Sequence, residues 1–170
     1  MTQPPRNRLW WTLGLLAALG AVAFWIWVLF VAPAAPEDKL ASNAFPVAAN
    51  PVCVTAIQDL DANHLLNQTA ATPTDRADLV ERQDARLTTM VQQLRTIAPH
   101  SGDDGHAIAS WLNDWDQWLS DRATWVSQLR AGQDAPFNEK ADANGDPNSK
   151  ALVAFAITNE MSACATPYGV

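Results

Sequence analysis

Hydrophobic positions follow two regimes along this chain. From Leu9 to Ala32 no charged residue interrupts the run, with Arg6 and Arg8 before it and Glu37 and Asp38 after it. Beyond residue 51 apolar residues recur every three or four positions, the spacing that lines one face of a helix. The first pattern predicts one membrane-spanning helix, since about 24 residues rise about 36 Å and a hydrocarbon core is about 30 Å thick. The second predicts a mainly α, antiparallel helical bundle of three longer helices and a short C-terminal one.

The spacing places a first helix from Pro51 to about Asn67, with Val54, Ile57, Leu60 and His64 or Leu65 on its apolar face. Thr74 or Asp75 can cap a second helix, and Leu79 or Val80, Leu87, Met90, Val91, Leu94 and Ile97 form its stripe before Pro99 ends it. A third runs from about Ala107 to Leu129 on Ile108, Trp111, Leu112, Trp115, Trp118, Leu119, Val126 and Leu129, and Gly132 is its stop. The polar stretch 137–150 contains Asn144-Gly145, a pair suited to a tight turn and so to a small β-hairpin. A last helix begins at Asn148 or Ser149 and uses Leu152, Val153, Phe155, Ala156 and Met161.

Charge sets the expected topology. Basic residues beside a span are retained on the cytoplasmic side, which puts residues 1–8 in the cytoplasm, 9–32 in the bilayer and the C-terminal part outside the cell membrane. Ala32-Pro33-Ala34 also suits a signal peptidase, but the apolar run exceeds the roughly 7–15 residues of a cleaved leader, and Trp10 and Trp11 fit an interfacial belt. Residues 33–51 hold Pro33, Pro36, Pro46 and Pro51 among many alanines, which predicts a stalk, and 52–170 form the domain. All 18 acidic residues follow the span. Such a domain repels nucleic acid and anionic headgroups, so the bilayer contact is confined to residues 9–32 and no nucleic-acid partner is expected. The two cysteines, Cys53 and Cys164, also follow the span, where an oxidising compartment favours a disulfide closing a loop of about 110 residues.

The candidate chemistry is sparse. Trp111, Trp115, Trp118 and Trp125 share one broad helix face, as core or as an exposed aromatic platform for a partner helix or a glycan. Asp114, Asp116 and Asp121 read as a solvated polar face, and Arg122 sits one turn beyond Trp118, within reach of its ring or of a carboxylate. His64, alone on the first helix, reads as a partly buried packing residue. His100, Asp103, Asp104 and His106 are weak candidate metal ligands in the loop before the third helix. The stretch 142–146 resembles the start of a calcium loop, yet Pro147 stands where glycine is required and Val153 where glutamate is required. Neither a nucleophile elbow nor a phosphate-binding glycine loop occurs. No catalytic residue and no cofactor are therefore assigned.

The segments Trp111-Leu112-Asn113-Asp114-Trp115, Asp121-Arg122, Asn159-Glu160-Met161 and Cys164-Ala165-Thr166-Pro167, with Leu129 and Phe137, resemble a family of uncharacterised single-pass membrane proteins of actinobacteria. The resemblance covers most of the exported domain. The chain departs from it at Ser162-Ala163, where the family pattern has Pro-Ser, and at Tyr168-Gly169, where it has Gly-Asp. The family has no assigned activity, so the resemblance implies one span and a helical exterior domain ending in a Cys-Ala-Thr-Pro motif, and no chemistry. The reading that results is a membrane-anchored extracytoplasmic helical module that binds another envelope protein. A cell-wall or metal-dependent enzyme, or a glycan-binding module using exposed tryptophan, is the alternative.

Overall fold

The computed structural model describes residues 39–66, 68–141 and 145–165, together with Leu16, Gly20 and Ala21, which are helical. The rest of the expected span at 9–32 and residues 33–38 lie outside the described residues. Among the described residues no helix is long and apolar enough to cross a membrane. The chain divides into the units Met1–Pro36 and Glu37–Val170. The second contains α1 (Ala44–Ala62), α2 (Pro73–Ile97), α3 (Gly102–Arg130), α4 (Asn148–Thr158) and a single 3-10 turn, Ser162–Cys164. Within it α2 packs on α3, α1 on α2 and α4 on α3, and the 3-10 turn returns to α1.

Helix α1 starts seven residues before the expected Pro51 and absorbs the end of the expected stalk. Its face is set by Phe45, Ala49, Cys53 and Leu60, all buried at helical spacing, whereas Val54 is exposed. Pro51 is tolerated inside the helix because the carbonyl it cannot reach belongs to Val47, which is exposed and open to water. Reading each proline as a breaker hid this turn of helix. Helix α2 is capped by Thr72 rather than Thr74 or Asp75. The Thr72 hydroxyl accepts from the Asp75 N–H at 3.1 Å and donates to its carboxylate at 2.8 Å, with Pro73 in the first turn where a missing N–H costs nothing. Helix α3 begins at Gly102, earlier than expected, because Gly105 lets the chain fold back closely: a Cβ there would meet the Pro99 carbonyl at 3.0 Å.

Three helices end in the same way. A residue of left-handed backbone follows α1 (His64, φ 54°), α3 (Gly132, φ 79°) and α4 (Glu160, φ 61°). In each, the next amide reaches back to the last turn: Leu65 N to Leu60 O at 2.8 Å, Gln133 N to Gln128 O at 3.0 Å, Met161 N to Ala156 O at 2.8 Å. This closure returns Leu65 and Met161 to the core. Only the middle helix uses the glycine that suits such a backbone.

The core runs along α3. Trp111, Trp115 and Trp118 are fully buried and stand edge-to-face in sequence, with centroids 6.4 and 5.7 Å apart. Phe155 of α4 stacks on Trp111 at 5.2 Å. Phe137 in the α3–α4 connection meets both Trp118 and Trp125, so it joins the main core to a smaller cluster of Ala77, Val80, Trp125, Val126 and Leu129. The expected hairpin near 137–150 is reduced to one antiparallel bridge, Ala141 to Pro147, and residues 142–144 lie outside the described residues. Side chains take the polar groups around it. Asp121 accepts the Lys140 N–H at 2.8 Å, and Glu139 accepts both the backbone N–H and the hydroxyl of Ser149, capping α4.

Cys53 and Cys164 form a disulfide across 111 residues of sequence, fixing the C-terminal turn to α1. Converting both to Ser is expected to lower stability by about 4 kcal/mol through the freed loop entropy, read by denaturant unfolding. Conversely, His64→Gly and Glu160→Gly should each raise stability by about 0.5–1 kcal/mol in the same assay, because a side chain costs energy in left-handed backbone.

Candidate functional site

The tryptophans do not form a surface platform. Trp111, Trp115 and Trp118 are at most 1% exposed and Trp125 6%, which removes the expected partner face and the glycan reading that needs an exposed indole. Their spacing matches the groove between α2, α4 and the connection carrying Phe137, so burial satisfies the whole stripe. Trp111 donates to the Leu152 carbonyl at 3.2 Å and Trp125 to the Ala135 carbonyl at 2.8 Å.

Arg122 is the charged residue that sequence reasoning placed best and understated most. Its side chain is 0% exposed, with its guanidinium carbon 4.7 Å from the Trp118 ring centre. Its Nε donates to Asp84 and one terminal nitrogen donates to Gln83 Oε1 at 2.7 Å. Gln83 in turn donates to the Leu65 carbonyl at 2.7 Å, carrying the network to the end of α1. Burial pushes the Asp84 carboxyl above the usual aspartate range, a shift that the Arg122 charge opposes and Glu81 adds to. Asp121, expected on a solvated face, is instead buried and accepts from Gln117 and from the Lys140 amide, both at 2.8 Å. Asp116 does face solvent, paired with Arg95. These groups hold helices and connections together.

The weak metal candidates do not converge. His100, Asp103 and His106 are exposed, and among the described residues no group of three or more His, Cys, Asp or Glu could hold an ion. Asp104 is occupied by backbone: it accepts from Ala41 N at 2.8 Å and Ser42 N at 3.0 Å, tying the segment before α1 to the first turn of α3. Asp103 and His106, three residues apart, share one face of α3, but Asp104 points about 100° away from Asp103 and no third ligand joins the pair among the described residues.

Two of the grooves among the described residues bear on function. One, about 570 Å³, lies between the start of α1 and the α2–α3 turn, with Phe45, Ile97, Pro99 and Ile108 as its apolar lining and Asp103 at its edge. Ile97, expected in the buried stripe of α2, is 38% exposed there, because it is the last residue of α2 and no described element covers that turn fully. The proline-rich stretch holding Phe45 was read as stalk, so the sequence signal for this groove was masked. The other groove, about 600 Å³, follows the α1–α2 connection and carries Arg82, Arg86, His64, Asn63 and Gln68 beside Leu65 and Ala85. His64 stands at it exposed, rather than partly buried as expected.

Comparison of the chain with protein-family profiles, with curated proteins and with solved structures finds no match.

The Arg122 network sets a test. A carboxyl raised by folding contributes stability that is fully present below its unfolded value near 3.8 and is lost as pH rises through the higher folded value. Asp84→Asn is expected to flatten the pH dependence across that window and to cost about 3 kcal/mol, since it leaves a buried guanidinium without its carboxylate. Denaturant unfolding at a series of mildly acidic pH values reads both effects.

Proposed function

We propose that this chain is a membrane-anchored extracytoplasmic helical module that docks a segment of another envelope protein in the groove between α1 and the α2–α3 turn. The observation that carries the docking reading is a concave apolar lining with an exposed Ile97 and an exposed acidic residue, Asp103. Exposed apolar area bordered by charge is how contact sites are built. The occupant that fits is a short segment presenting an apolar side chain to Ile97 and Pro99, over the buried floor of Phe45 and Ile108, with a Lys or Arg placed against Asp103.

Anchoring rests on the uncharged run 9–32 and the basic residues before it. The Cys53–Cys164 bond supports the export part of the reading, because disulfides persist in oxidising compartments. The motifs shared with the actinobacterial membrane-protein family support the same architecture. Catalysis is not required by any of these features.

Crosslinking in intact cells, followed by recovery of the full chain from membranes, tests the docking surface. A specific partner should be recovered with the native chain and with Arg82→Gln, which lies in the other groove, and lost with Ile97→Glu combined with Asp103→Arg. Equal recovery by all three chains would remove this groove from the function. Circular dichroism of each variant checks that the helices remain.

A further inference from the structure

The second groove has a charge character opposite to that of the chain. The molecule carries a formal net charge of −7, yet this groove gathers Arg82, Arg86 and His64 with the amides of Asn63 and Gln68. Arg82 and Arg86 are one turn apart on α2, so both guanidinium groups rise from the same face. Arg86 Nε contacts Asp59 at 3.2 Å and Arg86 remains about half exposed. Arg82 makes no ion pair or hydrogen bond with another described residue. The acids around it are taken: Asp78 and Glu81 pair with Arg130 at 2.7 and 2.6 Å, and Asp75 caps α2 with Thr72. The lining of the groove holds two guanidinium groups and no carboxylate, and Asp59 offsets only one of the two; beyond about 8–10 Å the surrounding negative charge is screened.

His64 adds an independent observation. It occupies the left-handed position that closes α1, with φ 54°, where glycine is the unstrained choice, as at Gly132 after α3. Its imidazole is exposed at the groove and does nothing for the helix closure, which is made by backbone alone. His tolerates left-handed backbone better than most side chains, as the closure requires here, and the position leaves its imidazole exposed at the groove.

We propose that this groove binds a small soluble phosphate monoester, its phosphoryl oxygens accepting from the Arg82 and Arg86 guanidinium groups and from the His64 imidazole. Two forked guanidinium groups and a ring nitrogen offer more donors than one carboxylate can use, and match the three oxygens of a phosphoryl group. A groove of about 600 Å³ leaves room beside the phosphate for a small organic group, which the Gln68 amide can meet through hydrogen bonds. A headgroup in an anionic bilayer is the poorer source, since the acidic body of the chain repels such a surface.

Titration calorimetry of the full-length chain in neutral detergent, at low salt, tests this with inorganic phosphate as probe and acetate as control. The native chain should show saturable one-to-one phosphate binding, with acetate much weaker. Arg82→Gln removes no contact with a described residue, so its melting temperature should stay unchanged while phosphate affinity falls at least about tenfold. His64→Gly separates capping from binding: the melting temperature should rise and the affinity should fall. Absence of saturable phosphate binding by the native chain, or equal affinity in native and Arg82→Gln chains, overturns the proposal. Unchanged affinity in His64→Gly overturns the part given to the imidazole.

Discussion

A guanidinium with no access to water has to be satisfied where it stands, and the position of Arg122 governs how α2 and α3 meet. Its charge needs Asp84, its second donor group needs Gln83, and its flat face rests on Trp118. All three are available in one register of the two helices only, since a shift by one residue turns Asp84 and Gln83 by about 100°. Gln83 then uses its remaining donors on the Leu65 carbonyl, so the same network positions the end of α1. The Trp111–Trp115–Trp118 ladder lies in the space that this register creates. Charge fixes the alignment, and aromatic burial supplies the bulk of the driving force.

The connections are held by side chains that accept from backbone amides, with little regular pairing of their own. Asp104 grips residues 41 and 42, Asn159 accepts the Leu40 N–H at 2.8 Å, Asp121 holds residue 140, and Glu139 holds the start of α4. The disulfide adds a covalent link between α1 and the C-terminal turn. Both ends of the domain are thus sewn to its middle. A module of this kind presents its surfaces in fixed geometry, which lowers the ordering cost of binding.

The two grooves follow from how the helices end. Where α2 stops before Pro99 and α3 begins at once, the last turn of α2 leaves Ile97 uncovered beside Phe45. Where α1 closes on a left-handed residue and the chain crosses to Thr72, a trough opens along α2 beneath Arg82 and Arg86. One surface is apolar with an acidic edge and the other is cationic, so the two favour different ligands. Neither uses the tryptophans, and of the loop that first drew attention as candidate metal chemistry Asp103 and Asp104 line the apolar groove.

Periodicity alone determined the helical class, the number of helices in the domain, the stop at Gly132 and the strong face of α3, because a helix must place its apolar residues three and four apart. The two cysteines on one side of the apolar run were enough to indicate their pairing. Other features depended on partners distant in sequence. The start of α1 was hidden by prolines that are harmless at an exposed position, and the burial of the indoles was decided by α4 and Phe137 folding over them. In the sequence Asp121 looks like a solvated acid and Asp104 like a weak metal ligand, and only the arrival of residues 41, 42 and 140 turns them into anchors. His64 reads as a packing residue in the sequence yet is exposed, and Arg82 has no legible role there, for the same reason: a groove is made by the space between elements, and local sequence encodes the elements more directly than the space they leave.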